Sequence, residues 1–250
     1  MSGMLLINIG NTKTQTAEYD GRDLRSATVF ASDEWHRESL VRELQSRRAE
    51  LWMVACVVPT VATVLMEACA AEGTRLEFAD ARLIPGLDCS RVDIRTVGGD
   101  RLANLAAAME RRLAPVILVD CGTAVTTEVV DREGRFLGGA ILPGREMSFR
   151  ALFRFTAQLP MVTPAGTLPP PVGSNTEDAM RAGVEFGLVG AVEAILNRTR
   201  KDAGMRNAPA LAVGGDREFF SRHITGLEAA DEYFTLRGLA AMARVLQRSG

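Results

Sequence analysis

Val116-Ile117-Leu118-Val119-Asp120-Cys121-Gly122-Thr123-Ala124-Val125-Thr126 decides how this chain is read. An apolar run stops at a carboxylate and a glycine, and a β-branched run leaves the turn, the pattern of strand, tight turn and antiparallel strand. Pro115 to Asp120 reads as the buried first strand and Val125 to Val130 as the second. Glu133-Gly134 then turns the chain into a third strand, Phe136 to Ile141.

The same order opens the chain. Met4 to Ile9 is a nearly continuous apolar run that stops at Gly10, Thr14 to Tyr19 is again extended, and Asp20-Gly21 precedes a strand near Thr28 to Phe30. Laid over each other, the two stretches align Asn8 with Asp120, Gly10 with Gly122, Asn11 with Thr123 and Thr14 with Thr126. The repeat implies an α/β chain of two similar lobes with a cleft between them.

Between the repeats, Trp35 to Arg48 has helical spacing, Leu51 to Val58 is a buried-strand run, and Pro59 to Ala71 is a second helix entered through a proline at its first position. Gly98-Gly99-Asp100 leads into an alanine-rich helix ending near Arg112, and the lobes are divided near Ala114, as 1–114 and 115–250. A helix from Pro143-Gly144 to Phe155 comes next. The segment Pro160 to Gly173, with three consecutive prolines at 169–171, reads as a loop that could move. Asn175 or Thr176 caps a long helix running towards Arg200, Ala208 to Val213 enters Gly214-Gly215-Asp216, and a last helix covers Leu236 to Gln247.

Composition narrows the class. With 250 residues, 47% hydrophobic and 24% charged, the chain is an ordinary globular protein with room for one or two cores. Lys+Arg 29 against Asp+Glu 31 leaves a formal charge of -2, which offers no basic face for a nucleic-acid backbone. The four cysteines have neither the density nor the spacing of a disulfide framework or a zinc site, and they point to a reducing compartment. Neither an export signal nor a bilayer-length apolar run is present in the sequence, so cytoplasmic location is expected, with no membrane partner. His36 and His223 belong to no acid-base cluster and read as structural or surface residues.

Chemistry concentrates at the glycine turns. Gly10 and Gly122 let a phosphate oxygen approach backbone N–H groups, with Asn11, Thr12, Thr123 and Thr126 adding neutral donors; the bland alternative is a plain hairpin at each place. Lys13 faces either phosphate or solvent. Asp120 ends an apolar run and calls for a cation, a hydrogen-bond network or an Asx turn. Asp100 at a helix start is a candidate general base, with a helix cap as its other reading, and Arg101 beside it can meet an anion. Gly214-Gly215 can admit adenine or ribose. Cys121 lies near a turn without a partner base and is not read as a nucleophile.

These residues together resemble the type III pantothenate kinases, of the acetate kinase, sugar kinase, Hsp70 and actin fold superfamily. The resemblance spans nearly the whole chain and rests on Gly10-Asn11-Thr12, Gly98-Gly99-Asp100-Arg101 with Asn104, Asp120 to Thr126, Gly138 to Gly144, Thr156 to Pro160, Gly173 to Thr176 and Gly214-Gly215. It implies an actin-like (ribonuclease H-like) duplicated fold with a central nucleotide cleft, and transfer of the ATP γ-phosphate to pantothenate, the first step towards coenzyme A. It also implies a homodimer using Mg²⁺ or another divalent cation and K⁺ or NH₄⁺. By the same resemblance Asp100 is the general base, while Gly98, Gly99, Asp100, Arg101 and Thr176 hold pantothenate. Asn8, Ile9, Gly10, Asn11, Thr12, Lys13, Thr14, Gln15, Gly122, Thr123, Gly214 and Gly215 hold the nucleotide, and Asp120 the monovalent cation.

The chain departs from the family pattern at three places. Asn8 stands where the opening motif has aspartate, the segment Val92 to Val97 carries neither the usual tyrosine nor the usual proline, and Val213 replaces the threonine before the double glycine. Two alternatives therefore accompany the kinase reading: a catalytically impaired binding or regulatory protein, and a kinase for another small hydroxyl compound.

Overall fold

The computed structural model describes residues 3–32, 39, 42, 43, 46, 47 and 49–249, so most of the helix expected over Trp35 to Arg48, and His36 with it, lies outside the described residues. The opening apolar run forms β1 (Gly3–Ile9), and the glycine turn returns it as β2 (Lys13–Tyr19) and then β3 (Leu24–Ala31). β4 (Ala49–Cys56) lies parallel to β1, and β5 (Arg75–Phe78) parallel to β4, giving the order β3-β2-β1-β4-β5. α1 (Pro59–Glu72) crosses from β4 to β5; Pro59 opens it, and Gly73, at φ 69°, ends it with an N–H bond to the Cys69 carbonyl.

Strand alternation assigns the two faces of this sheet. Leu5, Ile7, Ile9, Trp52 and Val54 pack with Leu65, Ala68 and Cys69 of α1. The opposite face, carrying Met4, Leu6 and Asn8, is served by α2 (Gly99–Glu110) and α6 (Phe234–Ser249), with α2 against β4 and α6 against β1. α2 and α6 meet backbone to side: a Cβ on Gly238 would lie 1.7 Å from the Ala103 carbonyl oxygen. Next to that crossing, Thr235 Oγ1 donates to Asn104 Oδ1 at 2.8 Å, a polar pair buried in the helix interface.

The second unit repeats the strand plan. β6 (Val116–Cys121) and β7 (Ala124–Val130) form the hairpin, β10 (Ala210–Val213) lies parallel to β6, and β11 (Leu227–Ala229) parallel to β10; with β8 (Phe136–Gly138) beyond β7 the order is β11-β10-β6-β7-β8. The single third strand expected over Phe136 to Ile141 is two pieces, β8 (Phe136–Gly138) and β9 (Ile141–Pro143), both paired with β7. Thr127 breaks the run: its Oγ1 accepts from Ala140 N at 2.8 Å, and a Cβ on Gly139 would sit 1.6 Å from its carbonyl oxygen. α3 (Arg145–Phe155), α4 (Thr176–Asp202) and α5 (Arg217–His223) complete the unit. Ile117, Val119 and Cys121 pack with Leu188, Val189 and Val192 of α4 and Phe219 and Phe220 of α5.

Residues 1–113 and 233–250 form one compact unit and 114–232 the other. A C-terminal lobe running from 115 to 250 therefore differs from the structure: α6 belongs to the first unit, because its apolar face is buried on α2 and β1. The Pro160 to Gly173 segment is free of helix and strand yet anchored, since Val162 is buried with Phe149 and Met180. Among the described residues, no helix is long and apolar enough to cross a membrane.

The helix crossing gives a direct test. Gly238→Ala should cost about 2 kcal/mol and lower the melting temperature by roughly 4–8 °C in differential scanning calorimetry. Gly183→Ala on α4, where a Cβ meets nothing within 4 Å, should be neutral or slightly stabilising.

Candidate functional site

In the first unit, Asn8 is the penultimate residue of β1, opposite Gln15 of β2 and beside Ala55 of β4. Its Nδ2 donates to Gln15 Oε1 at 3.3 Å, while its Oδ1 is buried with no hydrogen-bond partner. A buried, unpaired acceptor is expensive, so it marks a place for an external donor. Ile9 points into the core with no exposed surface, and Asn11, Thr12 and Lys13 are exposed at the turn. The Gly10 N–H is spent on Lys13 O at 3.0 Å, so it is not available to a ligand.

Thr14 is fully buried and does not face the turn's surface. Its hydroxyl lies 3.1 Å from Ser32 Oγ, which donates to Gly10 O at 2.6 Å, while Ser32 N donates to Thr12 O at 3.0 Å. Ser32, just past β3, is therefore the clasp that holds the first turn in shape. Sequence reasoning missed it, since a lone serine 22 residues from Gly10 carries no local signal.

Gly98, Gly99, Asp100 and Arg101 sit at the start of α2, in the same unit. Gly99 presses on the ends of β1's neighbour: a Cβ there would come within 3.3 Å of Ala55 Cα and Cys56 N. Glycine is what lets the helix start come down on the strand ends where Asn8 also lies. A Cβ on Gly98 would meet Asp100 Oδ1 at 2.6 Å, so the carboxylate folds back over the glycines and accepts from Arg101 N at 2.8 Å. Burial raises the Asp100 pKa above its ordinary 3.8, against the smaller opposing effects of the Arg101 N–H and charge.

In the second unit, Asp120 holds the place that Asn8 holds in the first: penultimate in β6, beside Val213 of β10 and opposite Thr126 of β7. The repeat is thus real but shifted by one residue beyond the turn. Gly10 N bonds to Lys13 O, whereas Gly122 N bonds to Ala124 O at 3.1 Å, so the first turn is one residue longer and Gln15, not Thr14, is the counterpart of Thr126. Gly214, at φ 86°, lies against Asp120: a Cβ there would meet Asp120 Oδ1 at 2.5 Å and Cys121 O at 2.7 Å. Gly215 is exposed beside it. Cys121 is buried, and desolvation together with the charges of Asp120, Asp216 and Glu128 holds its thiol neutral.

Thr176 is exposed at the first position of α4, which Asn175 caps by accepting from Asp178 N at 3.0 Å. A hollow lined by Gln158, Pro160, Asn175, Thr176, Glu177 and Asp178 surrounds it. The first unit thus gathers Asn8 through Gln15 with Gly98 to Arg101. The second gathers Asp120, Gly122, Thr123, Gly214 and Gly215, with Thr176 in a separate hollow. His223 packs edge-on against Phe219, with ring centroids 5.0 Å apart, as a structural residue.

The profile of the type III pantothenate kinase family matches residues 4–198. A type III pantothenate kinase from Geotalea daltonii is 34% identical over 255 residues, covering 94% of this chain and 96% of its own. A conserved Campylobacter jejuni protein, provisionally described as a Baf family transcriptional activator, superposes with a TM-score of 0.64 at 18% identity, covering 98% of each chain. An inorganic polyphosphate/ATP-glucomannokinase from Arthrobacter superposes with a TM-score of 0.51 at 13% identity, over 99% of this chain and 100% of its own. These likenesses show a shared fold alone.

The raised pKa of Asp100 fixes the sign of a stability measurement. A carboxyl whose folded pKa is raised adds its full stability below the unfolded value of 3.8 and loses it as pH rises through the folded value. Asp100→Asn should therefore melt above the parent at about pH 7, with the gap closing towards about pH 4. A calorimetric difference that does not vary with pH would contradict the burial of this charge.

Proposed function

The chain belongs to the type III pantothenate kinase family, and on that footing we propose that it phosphorylates pantothenate to 4'-phosphopantothenate with ATP, the entry step of coenzyme A synthesis. The observation that carries this reading is Asp100: a carboxyl desolvated by burial at a helix start, preceded by two glycines whose missing side chains let that start rest on the strand ends where Asn8 also lies. A base of raised pKa takes a hydroxyl proton more readily as charge develops. In the proposed step the acceptor hydroxyl gives its proton to the Asp100 carboxylate while its oxygen bonds to the γ-phosphorus. The bond from that phosphorus to the β,γ-bridging oxygen breaks, and ADP leaves with the electron pair.

The amides following Gly10 and Gly122 would hold the phosphates, with Asn11, Thr12 and Thr123 contributing hydroxyl or amide donors and Lys13 a charge. Gly214 and Gly215 would admit the nucleoside, and Gly98 to Arg101 with Thr176 the pantothenate. These parts suit an actin-like duplicated fold, a reading supported by the same strand order in the two units.

Among the described residues no group of three His, Cys, Asp or Glu is arranged to hold a metal ion, and Asn8 offers one neutral oxygen. The donors among the described residues do not fit a resident divalent ion, and Mg²⁺ would arrive on the triphosphate itself. Asp120 is the residue proposed for K⁺ or NH₄⁺. Phe153 and Phe155, exposed at the end of α3, suit the proposed homodimer.

Asn8 also favours a second reading, a protein that binds nucleotide without turning it over, because its amide brings no negative charge to the first turn. One series separates the two. Parent protein with Mg·ATP should release ADP only when pantothenate is present, and Asp100→Asn should lower kcat by about 10²–10⁴-fold. Asn8→Asp should then lower the Mg²⁺ concentration needed for half-maximal rate. Nucleotide binding without ADP release in the parent, with turnover appearing in Asn8→Asp, would establish the second reading instead.

A further inference from the structure

Arg145 is the most deeply buried arginine among the described residues, and nothing in the proposed chemistry uses it. It is the first residue of α3, directly after Gly144, whose N–H donates to Thr123 O at 2.9 Å. Gly144 lies so close to the second phosphate turn that a Cβ would meet Gly122 O at 2.2 Å and Thr123 O at 2.6 Å. The guanidinium is thus anchored to the back of that turn by its own backbone.

Its nitrogen donors run elsewhere. Nε donates to Glu185 Oε2 at 2.7 Å and Nη2 to Glu185 Oε1 at 2.8 Å, a bidentate pair with a carboxylate that has no exposed surface. Nη2 also donates to the Ala165 carbonyl, and the guanidinium carbon Cζ lies over the Phe219 ring, 3.6 Å from its centroid. Nη1 donates to Asp216 Oδ1 at 3.1 Å, and Asp216, the residue after Gly214-Gly215, donates its N–H to Cys121 O at 2.9 Å. Burial opposes the charge on Arg145, but the hydrogen bonds and charges of Glu185 and Asp216 outweigh it and keep the group ionised.

Five N–H groups are available to an arginine, and four of the bonds above draw on them. A cation beside a phosphate turn is ordinarily read as a phosphate ligand. Here its charge is matched by two carboxylates of its own unit and its face is covered by a ring, so little of it is left to offer a ligand. We propose that Arg145 is a positioning residue: through Asp216 it sets the Gly214-Gly215 turn in register with the Gly122-Thr123 turn, so that nucleoside and phosphate are received at a fixed spacing. The inference rests on the reading of these turns as the nucleotide site.

The Arg145→Met/Glu185→Leu double variant tests it, since replacing both members of a buried ion pair by apolar residues preserves a fold better than breaking it. In the full chain, hydrogen exchange at the Gly122, Gly144 and Asp216 amides should accelerate about tenfold or more, with exchange in the α4 interior unchanged. The KM for ATP should rise about tenfold while kcat changes by less than about threefold, and Arg145→Lys should not restore it, because an ammonium cannot make the bidentate pair and reach Asp216 together. Asp216→Asn, which leaves Arg145 with Glu185, should reproduce the faster exchange at Asp216 and guards against a double variant that fails to fold. Unchanged exchange at these amides in a folded variant overturns the proposal, as does a full rescue by Arg145→Lys. Parent protein without affinity for ATP, but with the predicted exchange differences, would sustain the coupling and reject the nucleotide-site reading instead.

Discussion

Backbone laid directly on backbone at the ends of parallel strands is the constraint on which the rest of this structure depends. Gly99 rests on Ala55 and Cys56, Gly144 on Gly122 and Thr123, and Gly214 on Asp120 and Cys121. Each contact brings a helix start or a turn down to a strand end at a distance that a Cβ would forbid. Because β1 and β6 each have a hairpin partner on one side and a parallel partner on the other, their final polar residues each come to a rim within their own unit, Asn8 beside the strand end on which Gly99 rests and Asp120 against Gly214.

The two rims share a plan and differ in charge. Asp120 brings a carboxylate to its rim, and Asn8 an amide whose oxygen has no partner. In the first unit the available negative charge is that of Asp100, which burial already disfavours. Under the proposed function, the neutral amide of Asn8 leaves divalent-ion affinity to the nucleotide's own oxygens.

Much of this was legible in the sequence because it is written locally. The strand, glycine and strand pattern gave both hairpins, and Gly98-Gly99-Asp100 gave a helix start with its carboxylate in place. What escaped was set by distance along the chain. Ser32 supports Gly10 across 22 residues, and Arg145 reaches Glu185 across 40 and Asp216 across 71, so no window of periodicity contains these partners. The one-residue offset between the repeats also escaped, because aligned threonines matched by identity while the turns differ in length. The placement of α6 with the first unit follows from Gly238 meeting Ala103, a contact between segments far apart in sequence.

Backbone amide NMR of the full chain, titrated with a non-hydrolysable ATP analogue, tests most directly the proposal that the glycine turns at the strand ends of the second unit bind nucleotide. Shifts at Thr123, Ala124 and Gly215 with one common affinity are expected. Unshifted amides at saturating analogue, or separate affinities for the Gly122 and Gly214 turns, would contradict it.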